Sequence, residues 1–497
     1  FSKLSRWAWP AGLFVAALAM RVGSLYGQGF DGLYGQDPYA YYRYAIGPLR
    51  EALLQLEAPP PFFWPPGYPL LVAVLSLVIG QTPLAGQLVS LVGGALVPVL
   101  TTLLARQLFP AERLLPILAG LAVAVCGQLW QSSIVVMADT TGLALATFSA
   151  FAIVRYARTQ HLGWLLAGSA ALAFAILARW IYGLAGLAFG GYALVSLSHL
   201  ERRRALAHAA AALGLGATLL LPVLGLPLLG LLSHPTQPAS FAGNLQVYSW
   251  SPLNALRRDF ITADGHLSYA QRNGMYYALA PANLAYFGPF LAPWAAVGLW
   301  PALTMWRRPT LLLVVGWAAV VYAFHAGAAW QNFRFTLAYL PPLAILVAAG
   351  LTWTWQRVDG WLKLPVAVCA ALGVMTAAVG AGRLVESFVD RKADDLALVR
   401  WVDAQTEPDA RLLSFGPTLT LRYYADRTTF DLFDLSPAEV SAVVAEGLPL
   451  YVLVDEANLE QQWAGRTPAD NVARLQDGPG LTPRGAYGPY TLFAVSK

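Results

Sequence analysis

The sequence predicts a polytopic α-helical membrane protein of about eleven transmembrane helices that carries a small C-terminal α/β domain outside the membrane. Three observations predict it. The 497 residues are 57% hydrophobic and 12% charged, with a mean hydropathy of +0.53, which is far more apolar than an ordinary soluble domain. Apolar blocks long enough to cross a bilayer follow one another from position 7 to position 382. From about position 390 the charges return and the apolar runs shorten to strand length.

Lys3 and Arg6 precede the first span, 7–25, and so place the N-terminus in the cytoplasm and the loop 26–69 outside. The first apolar block has no small-residue cleavage site and reads as a retained span; the chain opens on Phe1, which leaves room for residues before it. In the outer loop, 45–57 has helical apolar spacing at Ile46, Leu49, Leu53 and Leu56 and suits a helix lying on the membrane. Segment 68–80 is apolar but too short to span, so it reads as a helix embedded at the outer face. The further spans fall at 84–104, 114–130, 140–154, 164–178, 181–197, 205–232, 284–305, 311–324, 335–353 and 364–382, with Pro222 and Pro227 expected to kink the block that holds them. Arg106 with Arg113, Arg155 with Arg158, the Arg202 to Arg204 cluster, Arg307 with Arg308, and Arg357 with Lys363 all fall on the cytoplasmic side of this alternation. Arg179 and Arg334 fall on the other side, and topology does not explain them. Arg21, inside the first span, is expected to snorkel outward from its end.

The domains follow: 1–389 in the membrane, with outer loops 26–69 and 233–283, and 390–497 outside. In the second domain, 411–416, 428–433, 450–454 and 490–495 read as buried strands, and 394–405, 437–446 and 458–474 as helices. The net charge of +5 is spread between apolar blocks with no basic stripe, so nucleic acid is not an expected partner. Cys126 and Cys369 both sit in apolar runs, where a thiol behaves as a small hydrophobe.

The outer loop 26–69 is the chemically richest stretch, with Asp31, Asp37, Arg43, Arg50, a cluster of tyrosines and a Pro-rich segment. Irregular backbone beside hydrocarbon must sit at the surface or line a cavity, and acids placed there are commonly functional. Asp37 precedes Pro38, so it serves either as a helix cap or as a general base. Asp31 lies between glycine-flanked turn residues and is explained by turn chemistry. Asp139 either caps the span it opens or contacts substrate or metal. Arg334 and Arg179 either snorkel to headgroups or bind phosphate. Tyr39, Tyr41, Tyr42, Trp64 and Tyr68 either form an interface belt or stack on sugar rings. His266 and His325 have no ligand spacing and read as structural.

Gln36-Asp37-Pro38-Tyr39, then Trp64-Pro65-Pro66-Gly67-Tyr68-Pro69-Leu70-Leu71 opening an apolar helix, resembles the polyprenyl-phosphate-sugar glycosyltransferases of the GT-C class, nearest to the branch of protein O-mannosyltransferases and aminoarabinose transferases. Asp139 near the start of a span resembles that class's second acidic position. Gln331-Asn332-Phe333-Arg334-Phe335 before Leu340-Pro341-Pro342 resembles its Arg-aromatic segment, and Leu421-Arg422-Tyr423-Tyr424-Ala425-Asp426-Arg427 resembles its outer domain. The resemblance implies inverting transfer of a single sugar, hexosyl or pentosyl, from a polyprenyl-phosphate donor to a glycan, lipid or protein acceptor at the outer face. Asp37 is then the base, and Arg334 and Arg179 hold the departing phosphate. Related oligosaccharyltransferases bind a divalent cation, for which Asp37 and Asp139 are the candidates here. Their Trp-Trp-Asp acceptor motif is absent from the C-terminal domain, which disfavours transfer of a preassembled glycan. Two alternatives belong to other classes: a non-catalytic subunit on the same fold, and a secondary transporter, against which stands the lack of a clear internal repeat.

Overall fold

A computed structural model describes residues 5–233, 249–425 and 427–496. The expected outer loop 233–283 therefore lies in part outside the described residues, as does Asp426. The chain divides into two compact units. One comprises residues 1–33, 40–256 and 272–386; the other comprises 34–39, 257–271 and 387–497.

The first unit is built from helices. In chain order these begin with α1 Ser5–Gln28, α2 Gln36–Ile46 (whose first four residues belong to the second unit), α3 Pro48–Gln55, α4 Gly67–Ile79 and α5 Pro83–Leu108. There follow α6 Leu114–Ala124, α7 Gly127–Ile134, α8 Asp139–Thr159, α9 Leu162–Ala178, α10 Tyr182–Leu197 and α11 Arg202–Ser233. Later in the chain come α12 Asn273–Leu279, α13 Gly288–Leu291, α14 Pro293–Met305, α15 Arg308–Leu311, α16 Trp317–Gly327, α17 Leu340–Arg357 and α18 Lys363–Gln405, the last of which belongs to the second unit from residue 387 on.

Each of the eleven expected spans falls on one of these helices or on a pair of them. Among the described residues seven helices are long and apolar enough to cross a membrane, or eight if α6 and α7, bent by 53°, form one span. Helices α4, α9 and α10 are apolar but shorter. Two local expectations differ from the structure. The surface helix expected at 45–57 is two helices, because Pro48 lacks the N–H a continuing helix needs and starts α3 instead, after Gly47 leaves helical geometry. The block 284–305 is interrupted between α13 and α14, where Pro293 opens the second helix.

Packing in this unit is close because the facing residues are small. Helix α5 meets α1, α6 and α8; α8 also meets α9 and α10, and α17 meets α14 and α6. The main core joins Val97, Leu104, Val123, Leu143, Phe189, Trp317, Leu340 and Val347. Helices in lipid gain nothing from burying leucine against leucine, so contact distance and interhelical hydrogen bonds decide which helices pair.

The second unit holds an antiparallel hairpin, β1 Asp259–Thr262 with β2 Gly265–Ser268, and a five-stranded sheet. The sheet's strands are β3 Arg411–Ser414, β4 Thr428–Asp431, β5 Leu450–Val454, β6 Leu481–Tyr487 and β7 Tyr490–Val495. Their order is β4-β3-β5-β7-β6, with β3 parallel to β4 and β5, and β7 antiparallel to β5 and β6. Strand β5 is buried at all five residues, the mark of a strand covered on both faces. Its residues alternate between two cores, Val452 and Val454 in one with Leu413, Val440 and Trp463, and Tyr451 and Leu453 in the other with Leu412, Val402 and Leu492. Helix α19 Thr418–Tyr424, α20 Pro437–Ala445, α21 Glu456–Gln461 and α22 Thr467–Asp477 supply the covers. At α20 the Ser436 hydroxyl accepts from Glu439 N while the Glu439 carboxylate accepts from Ser436 N, which holds the Glu439 carboxyl below its ordinary range. The helix expected at 458–474 is two, α21 and α22, with Gly465 at φ 66° in the turn between them.

Candidate functional site

The site in the helical unit begins at the N-terminus of α8. A side chain at Gly93 of α5 would place its Cβ 2.9 Å from Thr141 N, so glycine there lets α5 touch the backbone of α8's first turn. Thr140 Oγ1 donates to Ser90 O at 2.9 Å and fixes that contact. Asp139, 4% exposed, is the first residue of the helix pinned in this way.

Two arginines from distant positions meet the Asp139 carboxylate. Arg179 ends α9 in an extended conformation, and its Nη1 is 2.9 Å from Asp139 Oδ1. Arg334 lies in the 3-10 turn Phe333–Tyr339, whose start is fixed by the Asn332 carboxamide oxygen accepting from Arg334 N at 3.0 Å. Arg334 Nε is 3.6 Å from Asp139 Oδ2, and its Nη1 is 2.8 Å from Met137 Sδ. The Phe335 ring stands 5.9 Å from the Arg179 guanidinium carbon and 5.8 Å from that of Arg334. One carboxylate thus holds two guanidiniums side by side, in a setting where planar cationic forks can meet an anion.

These groups sit in the wall of a cavity of about 270 Å³. Tyr41, Trp64 and Pro65 contribute from the region of the first outer loop, Trp180 to Leu184 from the start of α10, and Phe324, His325, Phe335 and Ala338 from the late helices. Gly67 explains how Trp64 arrives there. A Cβ at Gly67 would stand 2.7 Å from the Leu177 carbonyl, so only glycine lets the Trp64-Pro65-Pro66-Gly67 turn lie against the end of α9, two residues before Arg179.

The expected residues sort as follows. Asp139, Arg179, Arg334, Trp64 and Tyr41 are brought together. Tyr42 is buried with its hydroxyl donated to Gln81 O at 3.0 Å, and Tyr68 is fully buried with its hydroxyl 2.9 Å from both Gly86 O and Ser90 Oγ. Neither lines the cavity; both serve as packing posts between the loop and α5. Tyr41 packs edge-on against Tyr68 at 5.5 Å and lies 6.4 Å from Trp64, so those posts support a lining ring. Asp37 and Tyr39 occupy the first turn of α2, in the portion assigned to the second unit, and Tyr39 is fully buried there against Lys392. Asp31 accepts from Leu33 N at 3.0 Å, as turn chemistry requires.

Arg21 departs from its expectation. It does not snorkel: it is fully buried, donating through Nε to Ser133 Oγ at 3.0 Å and through Nη1 to Ala17 O at 2.9 Å. The Ser133 hydroxyl of α7 and the Ala17 carbonyl give its donors partners inside the bundle. Among the described residues no three His, Cys, Asp or Glu side chains gather as a metal site. Asp139 also fits a divalent cation poorly, since each of its oxygens faces a guanidinium. His325, read as structural, is stacked between Tyr277 and Phe335 at centroid distances of 5.4 and 5.1 Å and lines the cavity as well. Phe335 was read as part of the Arg-aromatic segment, whereas Trp180 and Tyr182 were not singled out from sequence; their adjacency to Arg179 was the available signal.

Comparison with known proteins agrees with this architecture. The family described as dolichyl-phosphate-mannose-protein mannosyltransferase matches residues 64–225. No curated protein sequence matches the chain. Among solved structures, ArnT from Cupriavidus metallidurans bound to undecaprenyl phosphate is similar with a TM-score of 0.65 at 15% identity, covering 99% of this chain and 98% of that one. The same protein in the apo state gives 0.63 at 18% identity, with 99% and 98% covered. The arabinofuranosyltransferase AftD from Mycobacteria gives 0.50 at 17% identity, covering 99% of this chain and 40% of that one. The chain therefore carries the GT-C fold along its length.

Proposed function

We propose that this chain is a multi-pass membrane glycosyltransferase that moves a single sugar from a polyprenyl-phosphate donor to a hydroxyl acceptor at the outer face. The observation that carries the reading is the pair Arg179 and Arg334, clamped by Asp139 in the wall of an otherwise aromatic and apolar cavity. Two guanidiniums in a fixed orientation match the oxygens of a phosphate, and their planar forks reward the charge that grows as the sugar leaves. The similar ArnT structure is bound to undecaprenyl phosphate, which supports a carrier of that chemistry here.

The reaction needs four events. An acceptor oxygen attacks the anomeric carbon, and a glycosidic C–O bond forms on the face opposite the phosphate. The bond from the anomeric carbon to the phosphate oxygen breaks, and its electron pair passes to the phosphate, where Arg179 and Arg334 stabilise it. The acceptor's proton goes to a carboxylate. Asp139 is a poor choice of base because both its oxygens are engaged by cations. Asp37, the acid of the Gln36-Asp37-Pro38-Tyr39 stretch that opens α2, is the better one. Trp64 and Tyr41 supply stacking surfaces for a sugar. The basic clusters between spans support an N-terminus in the cytoplasm and a C-terminus outside.

The test is transfer by the full chain reconstituted in liposomes, supplied with undecaprenyl phosphate carrying radiolabelled hexoses or pentoses and with a cell-envelope extract as acceptor. The wild type should move label from one of these donors and release undecaprenyl phosphate. Asp37→Asn should lower the rate at least 1000-fold while binding undecaprenyl phosphate within threefold of wild type. Absence of transfer from every donor, with binding retained, would favour a non-catalytic subunit; donor uptake that survives Asp37→Asn would favour a transporter.

A further inference from the structure

Lys392 is a buried lysine that the reaction described above does not use. It lies on α18, only 4% exposed, in the second unit. Its Nζ donates to the Tyr39 hydroxyl at 2.8 Å and to the Tyr424 hydroxyl at 2.8 Å. The same ammonium stands 3.9 Å from the Tyr424 ring centroid and 5.3 Å from that of Tyr39. Tyr39 in turn packs against Tyr423 at 5.8 Å and Tyr424 at 6.3 Å. An ammonium taken out of water is costly unless its protons are placed, and here phenol oxygens and aromatic faces place them.

The position of this cluster gives it a consequence. Tyr39 is in the first turn of α2, two residues after Asp37, and is fully buried. A short helix opening on an Asp-Pro pair frays at its first turn unless something holds it, since its first N–H groups have no partners within the helix. Lys392 grips the turn through Tyr39 across 353 positions of sequence. We propose that Lys392 is a positioning residue: by fixing Tyr39 it holds the Asp37 carboxylate at the angle from which it takes the acceptor's proton. Tyr424, from the Leu421 to Arg427 segment of the outer domain, is the second anchor of the same ammonium. In this way Lys392 contributes to turnover without touching substrate. The inference rests on Asp37 being the base.

The test measures turnover per undecaprenyl-phosphate binding site, so that misfolded protein is not counted, using the labelled donor that the wild type consumes. Lys392→Met should lower kcat at least tenfold with the donor KM within twofold of wild type. Lys392→Arg, which keeps a buried cation able to donate, should recover to within threefold. Tyr39→Phe keeps the ring and removes only the acceptor oxygen; it should lower kcat about threefold or more. It decides the matter if Lys392→Met binds no undecaprenyl phosphate. Wild-type kcat per site in Lys392→Met, or in Tyr39→Phe where the methionine variant does not bind, overturns the positioning role, provided Asp37→Asn is inactive. If Asp37→Asn turns over normally, the underlying reading falls instead.

Discussion

The cavity wall of the helical unit and the sheet of the C-terminal unit handle charge in opposite ways. At the sheet, Arg411 at the start of β3 pairs with Glu446, their side chains are 24% and 41% exposed, and water shares the cost of the pair. In the cavity wall Asp139, Arg179 and Arg334 are 6%, 17% and 18% exposed, and each leans on the others. A pair open to water is a minor contribution to stability. Three charges held in a bundle of apolar helices are costly to place, and their retention points to a ligand that needs them.

That contrast can be broken or sharpened by substitution. The largest effect should come from replacing both Arg179 and Arg334 with Ala: affinity for undecaprenyl phosphate should fall at least 100-fold, about 2.7 kcal/mol, in a binding titration in nanodiscs. Arg411→Ala at the start of β3 should leave the same titration unchanged. Asp139→Asn comes next. Removing the carboxylate leaves two guanidiniums facing each other, so they should spread and lose their shared geometry; about a tenfold loss of affinity is expected, together with a lower thermal midpoint. An unchanged midpoint would mean that the ion pairs do not shape the wall. A smaller effect, about threefold on the donor KM with little change in undecaprenyl-phosphate affinity, is expected for Trp64→Ala if its ring meets the sugar and not the phosphate. The smallest effect on binding, none, should come from Leu453→Ala in β5, which is fully buried. That change should cost the sheet unit about 2–4 kcal/mol, read as faster proteolysis of 390–497 with the cavity's affinity intact.

How legible each region was follows from the same physics. Helical spans announce themselves because hydrocarbon admits only long apolar runs, so the expected segments fall largely on helix, while among the described residues seven helices, or eight with α6 and α7 as one span, are long and apolar enough to cross. Strands β3, β4, β5 and β7 were visible as apolar runs, because a sheet covered on both faces needs them. Strand β6 was not: it is an edge strand, largely exposed, with Pro483 beside a register shift and no apolar alternation to read. Helix α19 was missed because seven residues are too few to show a period. In the site, Arg179 and Arg334 stood out only as outer basic residues that topology did not require. Their meeting at Asp139 was invisible, since no local pattern links positions 139, 179 and 334. The aromatic loop residues divided by geometry that sequence does not carry: Tyr41 and Trp64 face the cavity, while Tyr42 and Tyr68 spend their hydroxyls on α5 or its approach. Lys392 escaped notice because a lysine on a polar stretch of helix is ordinarily solvated.

The most direct measurement is photocrosslinking of the reconstituted wild-type protein with undecaprenyl phosphate carrying a diazirine beside the phosphate, followed by mapping of the labelled peptides. Label should concentrate in the peptides that contain Arg179 to Leu184 and Phe333 to Ala338, and excess unlabelled undecaprenyl phosphate should compete it away. Competable label confined to peptides outside the cavity wall would contradict a phosphate held between Arg179 and Arg334.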